Sequence, residues 1–352
     1  MTFTCLVRIN GKVIKASSGM TLLDAALGSR IAMPHDCCTG QCDTCRVNAS
    51  GGIDGTGTRE GDTVLACQAR IIADAEVSFE EVPEVVTRTA RVESLQSLSS
   101  DIAELVISLE RPLRFLPGQY VKLASGATPE RDYSPTFGLA GEADERRMHF
   151  HIRRYPDGLF SSKLGTSIQA GSKLKIRGPF GHAWLRQGKG QLVLVSSGTG
   201  FAPIWSIAVA ACLGQPDRPL TVIAGASDPN NLYMRSAFDW LARRGVQHLE
   251  LTASGAGLIP EDVRRGRPTE ALPRLSPDDV VHAAGQPDMV QAVKSIAAAS
   301  GASCYADAFS LGDRQLSLRN RLGAFVLRRF SRPHERDLRQ LPPQPGTTSR
   351  PY

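Results

Sequence analysis

Four cysteines limit what the front of this chain can be. Cys37, Cys42 and Cys45 stand in MPHDCCTGQCDTCRV with the spacing C-x4-C-x2-C, and Cys67 follows in VLACQAR. Three thiols crowded into one loop gain little by packing and make sense if their thiolates converge on metal. The spacing is one that holds a [2Fe–2S] cluster. Zinc is the competing metal, since four thiolates also form a tetrahedral site, but zinc sites usually draw on two short CxxC pairs. Here three cysteines share a loop and the fourth stands alone 22 residues later, which favours iron–sulfur over zinc and over disulfides. Gly40 can take a positive φ and bring backbone close to inorganic sulfur. Cys38 lies inside the four-residue gap and is surplus, read as a small buried thiol.

At 352 residues, the chain has room for two to three domains. With 41% hydrophobic and 22% charged residues it reads as an ordinary globular protein. The net charge is +6, but much of the excess sits in the last forty residues, so the body is not a basic nucleic-acid module. The start, MTFTCLVRINGKV, has no apolar run after a basic segment, so no signal peptide is expected. No apolar run approaches the ~20 residues of a membrane span. Eight cysteines, half of them grouped, suit a reducing cytoplasm better than a disulfide scaffold.

Residues 1–83 predict a small sheet crossed by one helix. TFTCLVRI and KVIKAS flank Asn10-Gly11, a strong hairpin signal. Thr21 to Gly28 reads as a short helix ending at glycine. CRVNAS, a Gly51-Gly52 turn, VLACQARII and AEVSFEEV supply further strands. The order of hairpin, TLLDAAL helix, cysteine loop and LACQA strand resembles a plant-type ferredoxin, an α+β domain of β-grasp type. The resemblance makes Cys37, Cys42, Cys45 and Cys67 the cluster ligands. Many relatives carry a small residue after the second cysteine where this chain has Asp43. A carboxylate there would lower the cluster potential, unless it points to solvent.

Residues 86–183 alternate strands and turn residues as an antiparallel β-barrel would. Arg131-Asp-Tyr133-Ser134 offers an arginine able to grip a pyrophosphate bidentately, a tyrosine able to pack on a flavin and a serine able to bond its edge. Gly158-Leu-Phe-Ser161-Ser162 reads as a serine-capped helix start with N–H groups for an anion. In LKIRGPFG, Gly178, Pro179 and Gly181 end a strand. PGQY, RDYS, GLFSS and GPFG, in that order, resemble the FAD-binding barrel of the ferredoxin–NADP reductase superfamily. By that resemblance Arg131, Gly158 and Ser161 meet the FAD pyrophosphate, Tyr133 stacks along the flavin and Ser134 faces its N5 edge. His151 to Arg153 would run along the FAD.

Residues 186–310 alternate strands with helices, which implies an α/β domain with a parallel sheet. The first strand-to-helix turn is Ser197-Gly198-Thr199-Gly200-Phe201-Ala202-Pro203, where glycines let a dinucleotide approach a helix N-terminus. This resembles the superfamily's nicotinamide-binding G-T-G-x-A-P, and Gly285-Gln-Pro resembles its second nicotinamide-side motif. Relatives commonly have a cysteine where Ala284 stands, which puts a thiol role in doubt. Some place an arginine, a partner for an NADPH 2′-phosphate, where Ser227 stands. Ser227 offers no charge and Asp228 would repel a phosphate, which favours NADH; Asp228 could equally cap the next helix. Asp307-x-Phe309 resembles the acidic-x-aromatic segment laid near the flavin, with Phe309 shielding the ring and Asp307 positioning the nicotinamide. Residues 311–352 combine a basic amphipathic stretch, Leu316 to Phe330, with a Pro-rich end that reads as disordered.

The whole resembles the one-polypeptide NADH reductase component of a bacterial multicomponent oxygenase. The resemblance implies passage of electrons from NADH through FAD and the cluster to a terminal oxygenase, directly or through a separate ferredoxin. A Rieske aromatic-ring dioxygenase is the favoured partner. A di-iron or haem (cytochrome P450) monooxygenase is the alternative, and a non-catalytic redox sensor or adaptor a third reading.

Overall fold

The computed structural model describes residues 2–309 except 127, 143 and 145. The expected amphipathic and Pro-rich stretch at 311–352 lies outside the described residues. Three sheets follow one another along the chain, each with its own core.

The first sheet contains β1 (Thr4–Ile9), β2 (Lys12–Ser17), β3 (Arg46–Asp54), β4 (Thr63–Leu65) and β5 (Arg70–Ser78), in the order β2-β1-β5-β3-β4. Asn10 and Gly11 both take positive φ, as a two-residue hairpin between twisted strands requires. Helix α1 (Leu22–Gly28) is capped by Thr21, whose hydroxyl accepts from the Asp24 N–H, and buries Leu22, Leu23, Ala25 and Ala26. Two expectations fail here. Gly51-Gly52 is no turn: β3 runs through it as a bulge against β5. A Cβ on Gly51 would lie 2.8 Å from the Asp74 carbonyl oxygen and one on Gly52 2.4 Å from the Ala73 Cβ, so close approach of the strands demands both glycines. LACQA is not a strand either. The chain turns at Ala66–Gln68, and AEVS belongs to β5 rather than to a strand of its own.

The second sheet holds β6 (Val86–Ser97), β7 (Ile102–Leu109), β8 (Tyr120–Ala124), β9 (Arg131–Tyr133), β10 (Arg147–Arg153) and β11 (Lys173–Phe180) in the antiparallel order β10-β7-β6-β11-β8-β9. A bridge between Thr136 and His149 joins the two ends and closes the barrel. Leu105, Ile107, Val121, Leu123, Phe150 and Ile176 fill it. The strand end expected at Gly178, Pro179 and Gly181 falls just before Gly181: β11 continues through Gly178-Pro179 to Phe180, with a register shift after Arg177.

The third sheet is parallel: β12 (Leu192–Ser197), β13 (Leu220–Ala226), β14 (His248–Ala253), β15 (Arg264–Arg265), β16 (Val280–Gly285) and β17 (Ser303–Ala308), ordered β15-β14-β13-β12-β16-β17. The chain steps one way from β12 to β15, then crosses to β16 on the other side. The order reverses between β12 and β16, and it is at the carboxyl ends of the strands at such a switch point that these sheets bind ligands. Helices α2 (Phe201–Gly214), α3 (Arg235–Ala242) and α4 (Pro287–Ser300) cover the faces. α2 is apolar all round because it is enclosed: Trp205 is fully buried and donates its indole N–H to the Gly138 carbonyl of the barrel at 3.0 Å.

Candidate electron-transfer site

The four cysteines of the spacing argument are all free thiols, Cys45 and Cys67 buried and Cys37 and Cys42 half-buried. Backbone N–H groups point at the sulfurs: Cys37 N–H donates to Cys42 Sγ at 3.5 Å and Thr39 N–H to Cys37 Sγ at 3.4 Å. Among the described residues no three His, Cys, Asp or Glu converge as a single-ion site. Four free thiols in this spacing, with backbone N–H groups aimed at sulfur, fit a [2Fe–2S] cluster. Cys38 is exposed rather than buried as expected, in a left-handed backbone with φ 54°. Asp43, also left-handed at φ 51°, pairs with Arg46 at 2.9 Å. Its charge is therefore partly offset rather than turned to solvent.

The loop is fastened to the barrel. Asp36 Oδ2 accepts from the Tyr120 hydroxyl at 2.7 Å and lies 2.9 Å from Lys122 Nζ. Thr44 Oγ1 accepts from the Gly181 N–H at 3.2 Å. A crevice of about 310 Å³ runs beside this junction, between Arg46 and Glu60 on one side and Tyr305 and Lys294 on the other. There the guanidinium of Arg186 lies 3.6 Å from the Trp184 ring and 4.6 Å from that of Tyr305, and pairs with Glu80. None of these contacts was visible in the motifs.

On the barrel, Arg131 has no carboxylate partner among the described residues and donates only to the Glu130 carbonyl. It therefore remains free to take a phosphate. Tyr133 is half-buried against Phe160, ring centroids 5.4 Å apart, and Ser134 is buried next to it. Gly158 does not precede a serine-capped helix. Ser161 sits inside a single turn of 3₁₀ helix, and its hydroxyl accepts from the Tyr155 N–H. That hydroxyl fills the place where a Cβ on Gly158 would stand, 2.2 Å away, so only glycine fits. The N–H groups of Leu159 and Phe160 find no partner among the described residues, which fits a cradle for an anion.

His151 and Arg153 part company. His151 is buried, its ring nitrogen 3.1 Å from the Tyr233 hydroxyl, and burial lowers its pKa to about 4. It is a neutral tie between barrel and parallel sheet and has no open face for a flavin. Arg153 reaches Gly198, where its Nη2 would lie 3.2 Å from a Cβ.

At the switch point of the parallel sheet, Gly198, Thr199 and Gly200 form a 3₁₀ turn into α2, whose N-terminus has no side-chain cap. Uncapped N–H groups at a switch point fit a pyrophosphate. A Cβ on Gly200 would fall 2.2 Å from the Ala284 carbonyl oxygen, and one on Gly285 2.4 Å from Ser197 Oγ. The two glycine turns are thus held against each other. Phe309 N–H donates to the Gly285 carbonyl at 2.7 Å, and Asp307 pairs across from Ala284. Phe309 is half-buried and outside the apolar cores, against the core-packing alternative. Although part of Asp307 stays open to solvent, its protein surroundings, and then the carboxylates of Asp132 and Asp43, push its pKa up to about 7. Ser227 and Asp228 stand exposed beyond β13, and Asp228 caps the following turn by accepting from the Asn230 N–H at 2.9 Å.

Residues 7–71 match the 2Fe-2S iron-sulfur cluster binding domain, residues 89–184 the oxidoreductase FAD-binding domain and residues 194–295 the oxidoreductase NAD-binding domain. The reductase component of the naphthalene 1,2-dioxygenase system of Pseudomonas putida, a ferredoxin–NAD(P)(+) reductase, is 31% identical over 87% of this chain and 98% of its own length. The chain belongs to the family of ferredoxin–NAD(P)(+) reductase components. The reductase is also 34% identical to the aromatic O-demethylase reductase subunit of Amycolatopsis, over 69% of this chain and 77% of that one. The crystal structure of the Amycolatopsis cytochrome P450 reductase GcoB superposes with a TM-score of 0.64 at 28% identity, covering 87% of this chain and 99% of that one. The reductase is an oxidoreductase with [2Fe–2S], FAD and NAD domains. None of its described helices is long and apolar enough to cross a membrane.

Proposed function

We propose that the reductase carries electrons from NADH to the terminal oxygenase of an aromatic-ring-hydroxylating dioxygenase system in the cytoplasm. When bound, FAD accepts an electron pair and releases electrons singly, and the [2Fe–2S] cluster carries them one at a time. The chain's own part is to line these groups up and exclude water between them. Arg131 and the Gly158–Ser161 turn hold the FAD pyrophosphate, Tyr133 packs along the flavin, and Ser134 sits at its edge. Gly198, Thr199, Gly200 and Gly285 admit the NADH pyrophosphate to the start of α2. Asp307 and Phe309 orient the nicotinamide. Cys37, Cys42, Cys45 and Cys67 hold the cluster.

The observation that carries this reading is the continuity of contacts. Asp36 and Thr44 tie the cysteine loop to the barrel, and Arg153 of the barrel reaches Gly198 of the nucleotide turn. NADH is favoured over NADPH because Ser227 supplies no cation and Asp228 is negative. The 31% identity to a naphthalene dioxygenase reductase favours a Rieske partner. The likeness to a cytochrome P450 reductase keeps a haem monooxygenase as the second reading. NADH-driven reduction of ferricyanide and cytochrome c tests the core of the proposal, and no turnover by FAD-replete protein would sink it. Product formation on titrating ring-hydroxylating and haem oxygenases then decides the partner.

A further inference from the structure

Asp36 immediately precedes the first cysteine of the cluster loop. Its carboxylate, only 8% exposed, meets Lys122 at 2.9 Å, and the same ammonium meets Asp132 Oδ1 at 2.8 Å. Asp132 stands between Arg131 and Tyr133. One cation on β8 thus joins the chain neighbour of a cluster cysteine to the middle of the flavin motif. Lys122 is held in place besides, 5.6 Å from the Tyr120 ring centroid and 5.3 Å from that of Phe180.

Asp36 and Asp132 come from different domains and carry like charges, so without a cation between them they repel across the junction. Other contacts hold the cysteine domain to the rest of the molecule: Arg186 with Glu80, Lys294 with Glu60 at 3.5 Å and, at the loop itself, the Tyr120 hydroxyl with Asp36 and the Gly181 N–H with Thr44. Loss of Lys122 would therefore shift the cluster loop locally and leave the domain attached. We propose that Lys122 is a positioning residue: by bridging Asp36 and Asp132 it sets the cysteine loop against the flavin strand for one-electron transfer. The inference rests on the electron route of the preceding section.

The test is anaerobic rapid mixing of holoprotein with NADH, following flavin and cluster absorbance separately. In Lys122→Met, flavin reduction stays within about twofold of wild type. Cluster reduction slows well beyond that twofold range. Lys122→Gln, which keeps hydrogen bonding without charge, shows the same loss and serves if the Met variant fails to fold. Lys122→Arg restores the rate. Hydrogen exchange rises at residues 34–38 and 119–123 in the Met and Gln variants and not over α1, with the EPR spectrum of the reduced cluster unchanged. Unaltered cluster reduction, equal loss in both phases, or no rescue by arginine overturns the role of Lys122. A wild-type protein whose flavin is reduced by NADH while its cluster is not overturns the electron route itself.

Discussion

The turn at Gly200 can be tested by a single methyl group. Gly200 has φ −58° and ψ −13°, so alanine is sterically acceptable to its own backbone. What forbids alanine is β16: a Cβ would stand 2.2 Å from the Ala284 carbonyl oxygen, 2.4 Å from its carbon and 2.6 Å from the Gly285 nitrogen. All three are backbone atoms of a fully buried strand, so no side chain can swing away. Overpacking of this kind costs about 1–3 kcal/mol, set against about 0.4–1 kcal/mol gained from a stiffer unfolded chain. Global stability of Gly200→Ala therefore falls by no more than about 2.6 kcal/mol. The strain is relieved by moving the Gly198–Gly200 turn away from Gly285, which widens the switch point that admits the dinucleotide. If about 1.4–2.8 kcal/mol of it is expressed at the site, kcat/KM for NADH drops about 10- to 100-fold. The assay is NADH–ferricyanide kinetics on FAD-replete protein, with Tm measured alongside. Gly28→Ala is the control, since a Cβ there meets nothing within 4 Å. A kcat/KM within about twofold of wild type at normal Tm would refute the placement of NADH at this turn.

Three further outcomes are expected. Cys42→Ser loses the iron–sulfur absorbance and keeps NADH–ferricyanide activity; loss of both in a folded, flavin-replete protein would contradict the division of labour. Asp307, with a pKa of about 7 in the fold and about 4 unfolded, holds a proton in the native state that the unfolded chain has released. Between those values stability falls as pH rises, so wild-type Tm declines from about pH 4 to about pH 7 relative to Asp307→Asn and levels off above. Parallel Tm curves would show that Asp307 titrates normally. Ser227→Arg moves the kcat/KM ratio towards NADPH, and a ratio that does not move places Ser227 away from the 2′ position.

Local chemistry made much of this molecule legible before its structure. The Asn10-Gly11 hairpin, the short helix ending at Gly28, the thiol spacing and the alternation of strands and helices after residue 190 each depend on neighbours in sequence. Where the reading failed, the deciding neighbour was remote. Gly51-Gly52 looks like a turn, but β5 lies against it and makes it a bulge. His151 sits in a flavin-type motif, yet Tyr233 claims it from the other domain. Ser161 has the sequence of a cap and spends its hydroxyl closing a turn with Tyr155. Asp36, Lys122, Arg186 and Glu80 carry no local signature, because salt bridges between domains depend on docking that no short motif encodes. Asp43 drew attention for its place beside a ligand, while its pairing with Arg46 needed the left-handed backbone that only the fold displays.

The central claim is that NADH, flavin and cluster form one electron route in this chain. An anaerobic titration of the purified holoprotein with NADH, recorded by visible absorbance and EPR, tests it most directly. The account predicts bleaching of flavin absorbance together with the EPR signal of a reduced [2Fe–2S] cluster. Flavin bleaching with an EPR-silent, still oxidised cluster would contradict it.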